Sequence, residues 1–538
     1  MCTVPIPSDY SSGQNETRSR QIIFPMGIEA CIPEDDMVRF FARSFEKLDY
    51  TNLYKAYYGS LYYAGAGRPH KNPQTLFQVC AYGYATDLYS SRKIEEACRK
   101  RIDFIWLLDG ETAPDYTTIA KFRSGPCKEA IEDLFYQHVC YLDSIGATNH
   151  EEGIFDGSKF ESFANRYTFV WRGSVEKNLA KLLKKVEDIF KRLGIEGDAT
   201  KDKLLHVIKN KRNRMEELHI APVHGKGRRK SQLQRDYEEL SDILEKWVKY
   251  EDQLRIMGSD RNSYSKTDPD ATFLRMKDDH MRNGQLKPGY NVQICVNSEF
   301  LTGIGVYSDR NDVNTLVSFM DKLMEKHGHR YKAVVADAGY ESLTNYRYLK
   351  SIGTDSYIKP TNYEYMKTKK FKKQLGRREN MTYDEAGDYY VCANQQRLVF
   401  VREHTFTPKS GTEQTNKVYR CENCVDCPHR QDCCKCKDVN KPKEIEVNLE
   451  FVTLREESLA NITTDYGIKL RTNRSIQVEG LFGIVKEDHN FRRFRCGGND
   501  KVMSELLLLG IGFNIRKHYR KTMDDRLDCH LFETKNVS

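Results

Sequence analysis

At 538 residues the chain is long enough for more than one domain. Hydrophobic residues make up 39% and charged residues 30%, which fits a globular, polar-rich protein and excludes one built of membrane spans. A net charge of +8 is a mild excess at this size, and alone it fits a basic enzyme as well as a polyanion binder.

Residues 1–30 read as a flexible polar arm. Met1 to Ser19 contains Pro5 and Pro7 and no apolar core, so no secretory signal is expected and the protein should be cytosolic. The 16 cysteines are then expected as thiols or metal ligands rather than disulfides. From 31 to 149 the apolar spacing predicts helices. Pro73 opens one through Leu76, Val79 and Tyr82; Ser90 or Ser91 caps the next; Asp115 caps a third, Tyr116 to Phe122. Short helices with tight turns suit either a helix-turn-helix-like DNA-binding domain or a plain helical bundle.

An apolar run, Gly153-Ile154-Phe155, ends at Asp156 and predicts a strand. The chain then interrupts itself over 165–260. Two heptad-spaced stripes, Val175 to Leu193 and Leu233 to Leu254, predict an antiparallel helical hairpin with the basic segment Lys201 to Lys230 between its arms. Strands are expected at Tyr290 to Val296, Leu301 to Tyr307 and Ala333 to Ala336, the last ending at Asp337, with a helix from Asn311 to Lys326 before it. A second interruption, 361–450, carries a lysine- and arginine-rich stretch, a hairpin from Tyr389 to Val401 and a cysteine cluster. Glu479 follows on a helix, and a last helix runs from Lys501 to Tyr519.

Several ordered blocks make this pattern recognisable. They are Tyr89-Ser90-Ser91-Arg92-Lys93-Ile94-Glu95, the segment Pro114 to Arg123, Asp156-Gly157-Ser158-Lys159-Phe160, Lys287-Pro288-Gly289-Tyr290-Asn291-Val292-Gln293, Ala336-Asp337-Ala338-Gly339-Tyr340 and Asn473 to Gly483. Over roughly residues 30 to 520 the chain resembles bacterial insertion-sequence transposases of the DDE type, in the group with a Tyr-Arg-Glu-Lys signature. The resemblance implies an α/β fold: an RNase H-like catalytic core over 150–360 and 451–520, with an N-terminal helical DNA-binding domain, a helical-hairpin insertion and a Cys-rich, zinc-binding-like insertion. It implies that the strands bearing Asp156 and Asp337 are neighbours. It also implies a cytoplasmic, nucleoid-associated bacterial protein that works on double-stranded DNA, element ends and target alike, as a homodimer or higher oligomer.

The chemistry expected on that basis is metal-dependent cleavage and strand transfer. Asp156, Asp337 and Glu479 are the candidate catalytic carboxylates, and their hard oxygens suit Mg²⁺ or Mn²⁺. Arg474 and Lys486 flank Glu479. Lys486 keeps the signature's spacing, whereas four residues separate Arg474 from Glu479 where the signature has three; Tyr466 lies too far upstream to be its tyrosine. Arg492 and Arg493 are candidate phosphate contacts beside Phe491 and Phe494, which suit base stacking or a core equally. Further DNA contacts are expected from Lys226, Arg228, Arg229 and Lys230 in the hairpin and from Arg92, Lys121 and Arg123 in the helical region. Cys421, Cys424, Cys427 and Cys433 have Cys-x2-Cys-x2-Cys-x5-Cys spacing, expected to hold a structural Zn²⁺. The rival readings are a DNA-binding regulator or relic without catalysis, and a host nuclease of the same fold.

Overall fold

The computed structural model describes residues 27–59, 71–195, 197–223, 229–259, 261–276, 286–408, 412–424, 427–434, 436, 438, 441–488 and 491–533. They fall into two compact units. One gathers residues up to 149 with 297–302 and 504–530; the other holds 150–296, 303–503 and 531 onward. Among the described residues no helix is long and apolar enough to cross a membrane.

The first unit is helical. The helix Met37–Phe45 is capped by Asp36, whose carboxylate accepts from the Val38 amide, and Pro73–Ala85 by Asn72, with Pro73 where a missing amide costs nothing. Asp115 caps Tyr116–Ser124 as its sequence suggests, while Ser90 precedes Ser91–Lys100 without a side-chain capping bond. Phe41, Phe45, Phe77 and Tyr82 form an aromatic core. The leucine run at 506–509 is buried along the helix Asn499–Met523. Two histidines share this interior. His138 stacks on Phe45 with ring centroids 5.1 Å apart, and His518 meets Phe40 edge-on at 4.3 Å.

The second unit is built on a six-stranded sheet. Its strands are β1 (Glu152–Glu161), β2 (Thr272–Arg275), β3 (Leu286–Asn297), β4 (Phe300–Tyr307), β5 (Ala333–Ala336) and β6 (Asp355–Ile358). The lateral order is β2-β3-β1-β5-β6, with β4 also on β3. β3 runs antiparallel to β1, while β5 and β6 run parallel to it. Ser298 and Glu299 turn the β3–β4 hairpin at positive φ of 55° and 72°, the backbone a two-residue turn demands. A buried carboxylate pins the sheet: Asp268 accepts from Ser162 Oγ at 2.5 Å, from Tyr290 OH at 2.8 Å and from the Gly498 amide at 3.0 Å. It thereby ties β1, β3 and the loop before the last helix.

Both interruptions differ from the sequence expectation. Between the arms Arg172–Leu193 and Gln232–Met257 the basic segment is itself largely a helix, Lys201–Glu217. Its Leu204 is fully buried against Val186, Ile189 and Leu240, so the hairpin is a three-helix insertion. The second interruption is an antiparallel sheet of five strands, ordered Glu444–Val447, Gln414–Cys421, Arg397–Phe406, Tyr389–Val391 and Thr382–Asp384; the expected hairpin is its centre.

Burial depresses the imidazole of His138 to about 3, helped by neighbouring His518, itself depressed to about 4 by burial. Both are neutral in the fold, and the unfolded chain takes up their protons near pH 6.5. The stability they contribute is full above that pH and is lost as pH falls through about 4 and then 3. His138→Phe is expected to keep the stack on Phe45 and flatten the loss of stability between pH 6.5 and 4, read from thermal melts. An unchanged acid slope would show that carboxylates, not this histidine, set it.

Candidate active site

The two aspartates meet because of strand register. β1 and β5 pair in parallel with Ile154 opposite Val335, and two residues further along the chain stand Asp156, still within β1, and Asp337, one residue past β5. A period of two puts both on the face they share with that pair. Asp156 is nearly buried and its carboxylate accepts from the Gly157 amide at 2.9 Å. Asp337 is more open and caps a short 3₁₀ turn, accepting from the Gly339 amide at 2.8 Å.

Arg474 joins them. Its Nη2 lies 3.5 Å from Asp156 Oδ2 and 3.7 Å from Asp337 Oδ2. One guanidinium therefore screens two carboxylates that would otherwise repel. Its Nε is buried without a hydrogen-bond partner among the described residues, so the side chain has a donor to spare.

Arg474 ends the helix Asp465–Arg474, and the chain continues through a π-helical turn, Ser475–Glu479. This explains the irregular spacing. A π turn closes between residues five apart, where an α turn closes at four. The extra residue between Arg474 and Glu479 is absorbed by the wider turn, and both side chains line one cleft. Lys486, in a second π segment, Ile484–Asp488, lines it too. Its ammonium donates to Ser158 Oγ at 2.7 Å and sits 4.7 Å from the Phe160 ring centre, which fastens this helix to β1.

The cleft has a volume of about 930 Å³. Asp156, Asp337 and Glu479 share it with four cations, Arg474, Lys486, Lys359 and Arg471. The last two escaped the sequence reading, although Arg471 lies one helical turn before Arg474 and Lys359 directly follows the last sheet strand. Tyr466 is not with them; its hydroxyl donates to Glu152 at 2.6 Å.

Other expected cations are used inside the fold. Arg493 donates to the carbonyls of Ser162 at 2.9 Å and Phe163 at 2.6 Å, and Arg492 pairs with Glu487. Phe491 and Phe494 are buried against Phe160, a core and not a stacking platform. In the helical unit Arg123 donates to the Tyr89 carbonyl at 2.9 Å and to the Tyr84 hydroxyl. Arg92 packs over Tyr116 at 4.7 Å, and Lys121 is exposed. In the three-helix insertion Lys230 pairs with Glu238 at 2.6 Å and Arg229 is exposed, while Lys226 and Arg228 lie outside the described residues.

Cys421, Cys424, Cys427 and Cys433 line one small cavity together with Cys392 and Cys434. Burial and a hydrogen bond with Cys424 push the Cys421 thiol up to about 12. Among the described residues no three His, Cys, Asp or Glu side chains stand in metal-holding geometry. The donor chemistry of both places still fits a cation. The aspartate pair is already arranged around a guanidinium, with a third carboxylate on the same cleft, and the sulfurs face a common space.

Residues 391–519 match the family model of a transposase DDE domain, and residues 27–125 match a transposase domain (DUF772). Arg474, Glu479, Lys486 and the cysteine cluster fall in the first match; Arg92, Lys121 and Arg123 fall in the second; Asp156 and Asp337 lie outside both. No curated protein and no solved structure matches the chain.

Arg493→Ala is expected to cost about 1–2 kcal/mol of stability, because it strands backbone carbonyls, and to leave the salt dependence of DNA binding unchanged. A salt slope reduced by about one unit would make Arg493 a phosphate contact after all.

Proposed function

We propose a specific activity for a chain that belongs to the DDE transposases of insertion sequences: it binds the terminal inverted repeats of its own element, cleaves there by activating water, and joins the freed 3′-hydroxyl to target DNA. Asp156, Asp337 and Glu479 are the catalytic acids. The observation that carries this reading is the convergence of all three on one cleft with Arg474 across the aspartate pair. The strand order, with an antiparallel first pair and parallel later strands, supports an RNase H-like core.

The three carboxylates would hold Mg²⁺ or Mn²⁺, which supplies a deprotonated oxygen nucleophile and charge stabilisation for the leaving oxygen. The protein's own side chains do the rest. Arg474, Arg471, Lys486 and Lys359, the last paired with Glu364 at 3.0 Å, are the cations of the cleft that would meet a phosphate backbone once a divalent cation offsets its carboxylates. Arg92, Lys121 and Arg229 are exposed cations suited to phosphates further along the duplex. The helical unit serves as the DNA-binding domain in this reading, and the protein acts as a dimer or larger assembly in the bacterial cytoplasm, on the nucleoid.

Asp156→Asn, Asp337→Asn and Glu479→Gln are each expected to abolish cleavage of element-end DNA while leaving binding within a few-fold of wild type. A variant that still cleaves at the wild-type rate removes its residue from the set. Hydrolysis without joined products would instead identify a plain nuclease, and binding without cleavage at any metal concentration a regulator.

A structural Zn²⁺ on Cys421, Cys424, Cys427 and Cys433 belongs to the same proposal. It is supported by the shared cavity and by burial of Cys421 and Cys424, since a thiolate site in a reducing cell is better closed by a metal than left as facing thiols. Elemental analysis of protein purified without chelator is expected to give about one Zn²⁺ per chain. Metal-free protein with an unaltered melting temperature would count against it.

A further inference from the structure

A fourth carboxylate stands behind the aspartate pair. Asp312 opens the 3₁₀ turn Asp312–Asn314 after β4. Its Oδ1 accepts from Asn291 Nδ2 and from Gln293 Nε2, each at 2.8 Å. Both amides are fully buried on β3, where Gln293 is registered opposite Gly157 and Asn291 opposite Lys159. Asp312 thus reaches beneath β1 beside Asp156. It does so through space that Gly157 leaves open: a Cβ there would lie 2.5 Å from Asp312 Oδ1 and closer still to Gln293 Nε2. The other oxygen faces Asp337. A Cβ on Gly339 would fall 2.9 Å from Asp337 Oδ1 and 3.5 Å from Asp312 Oδ2, so the two carboxylates border one small space.

The network has a fixed sense. Tyr340, fully buried next to the Asp337 turn, donates its hydroxyl to Gln293 Oε1. That orients the amide so that Nε2 points to Asp312. Burial keeps the phenol protonated, and the charges of Asp312, Asp156 and Asp337 all act on it in the same direction. A neutral acceptor would satisfy Asn291 and Gln293 equally well, so their hydrogen bonds do not call for a charge. Among the described residues the Asp312 carboxylate is met by amides and not by a cation. The charge is therefore surplus to the network and is felt by its neighbours.

We propose that Asp312 is a positioning carboxylate that fixes the backbone at Asp156, within β1, and at Asp337, just past β5, and supplies the excess negative charge that sets how tightly their cleft takes a divalent cation. It does not line the cleft, so it acts through the aspartates rather than on DNA. The inference rests on the catalytic reading of Asp156 and Asp337.

The test is Mn²⁺ binding to the full-length protein without DNA, followed by the spectroscopic signal of free Mn²⁺, beside cleavage titrated with Mn²⁺. Asp312→Asn preserves shape and hydrogen bonds and removes the charge. It is expected to weaken Mn²⁺ binding about tenfold, which corresponds to about 1.4 kcal/mol, with an unchanged melting temperature and with cleavage recovered at high Mn²⁺. Asp312→Ser, a smaller uncharged acceptor, reads the same loss should the asparagine variant fail to fold, and Asp312→Glu should regain part of it. Wild-type Mn²⁺ affinity in both uncharged variants overturns the proposal. If the wild-type protein binds Mn²⁺ but Asp156→Asn binds it as well, the aspartate reading itself fails, and the role of Asp312 falls with it.

Discussion

Two carboxylates brought side by side on adjacent parallel strands repel one another, and the fold around them is arranged to make that tolerable. The register of β1 against β5 leaves no freedom about where Asp156 and Asp337 emerge. Arg474 offsets the repulsion from the helix side. Asp268 holds the strand on the other flank through Tyr290 and Ser162. Lys486 clamps the helix back to β1 at Ser158. The interruptions of the chain enter beyond these points, so the helices of the first and the five-stranded sheet of the second can carry their own cores without moving the acids.

The helix bearing Glu479 shows how local irregularity serves the same end. π-helical turns are disfavoured and persist where something else selects them. Here the turn brings Arg474 and Glu479 onto one cleft despite five steps of chain between them. In an ordinary α-helix, at about 100° per residue, Glu479 would sit about 140° around the axis from Arg474.

What could be read from sequence follows from which signals are local. Asp156 and Asp337 were legible because each ends a short apolar run, which is a local pattern; only Asp337 stands at a strand end, whereas β1 continues past Asp156 to Glu161, held there by its pairing with β3. The last helix, expected from Lys501 to Tyr519 and running from Asn499 to Met523, was legible because its apolar run is local too. The helix Lys201–Glu217 was hidden by its own lysines and arginines, which drew attention from Leu204, Val207, Ile208 and Met215 at helical spacing. Charge misled in a second way. Arg123 and Arg493 look like phosphate ligands in sequence, but their guanidinium groups serve backbone carbonyls, a use no local pattern announces. Asp312 and Gln293 were invisible as site residues because their relation to Asp156 exists only across strand register.

The proposed function makes Asp156 and Asp337 a cation site, which the Arg474 guanidinium now screens. Anomalous diffraction at the manganese edge, from crystals of the protein with element-end DNA and Mn²⁺, tests it most directly. The expected result is a manganese peak in contact with both aspartates, with the Arg474 guanidinium turned towards a phosphate. No peak at saturating Mn²⁺, with Arg474 still across the two carboxylates, would contradict it.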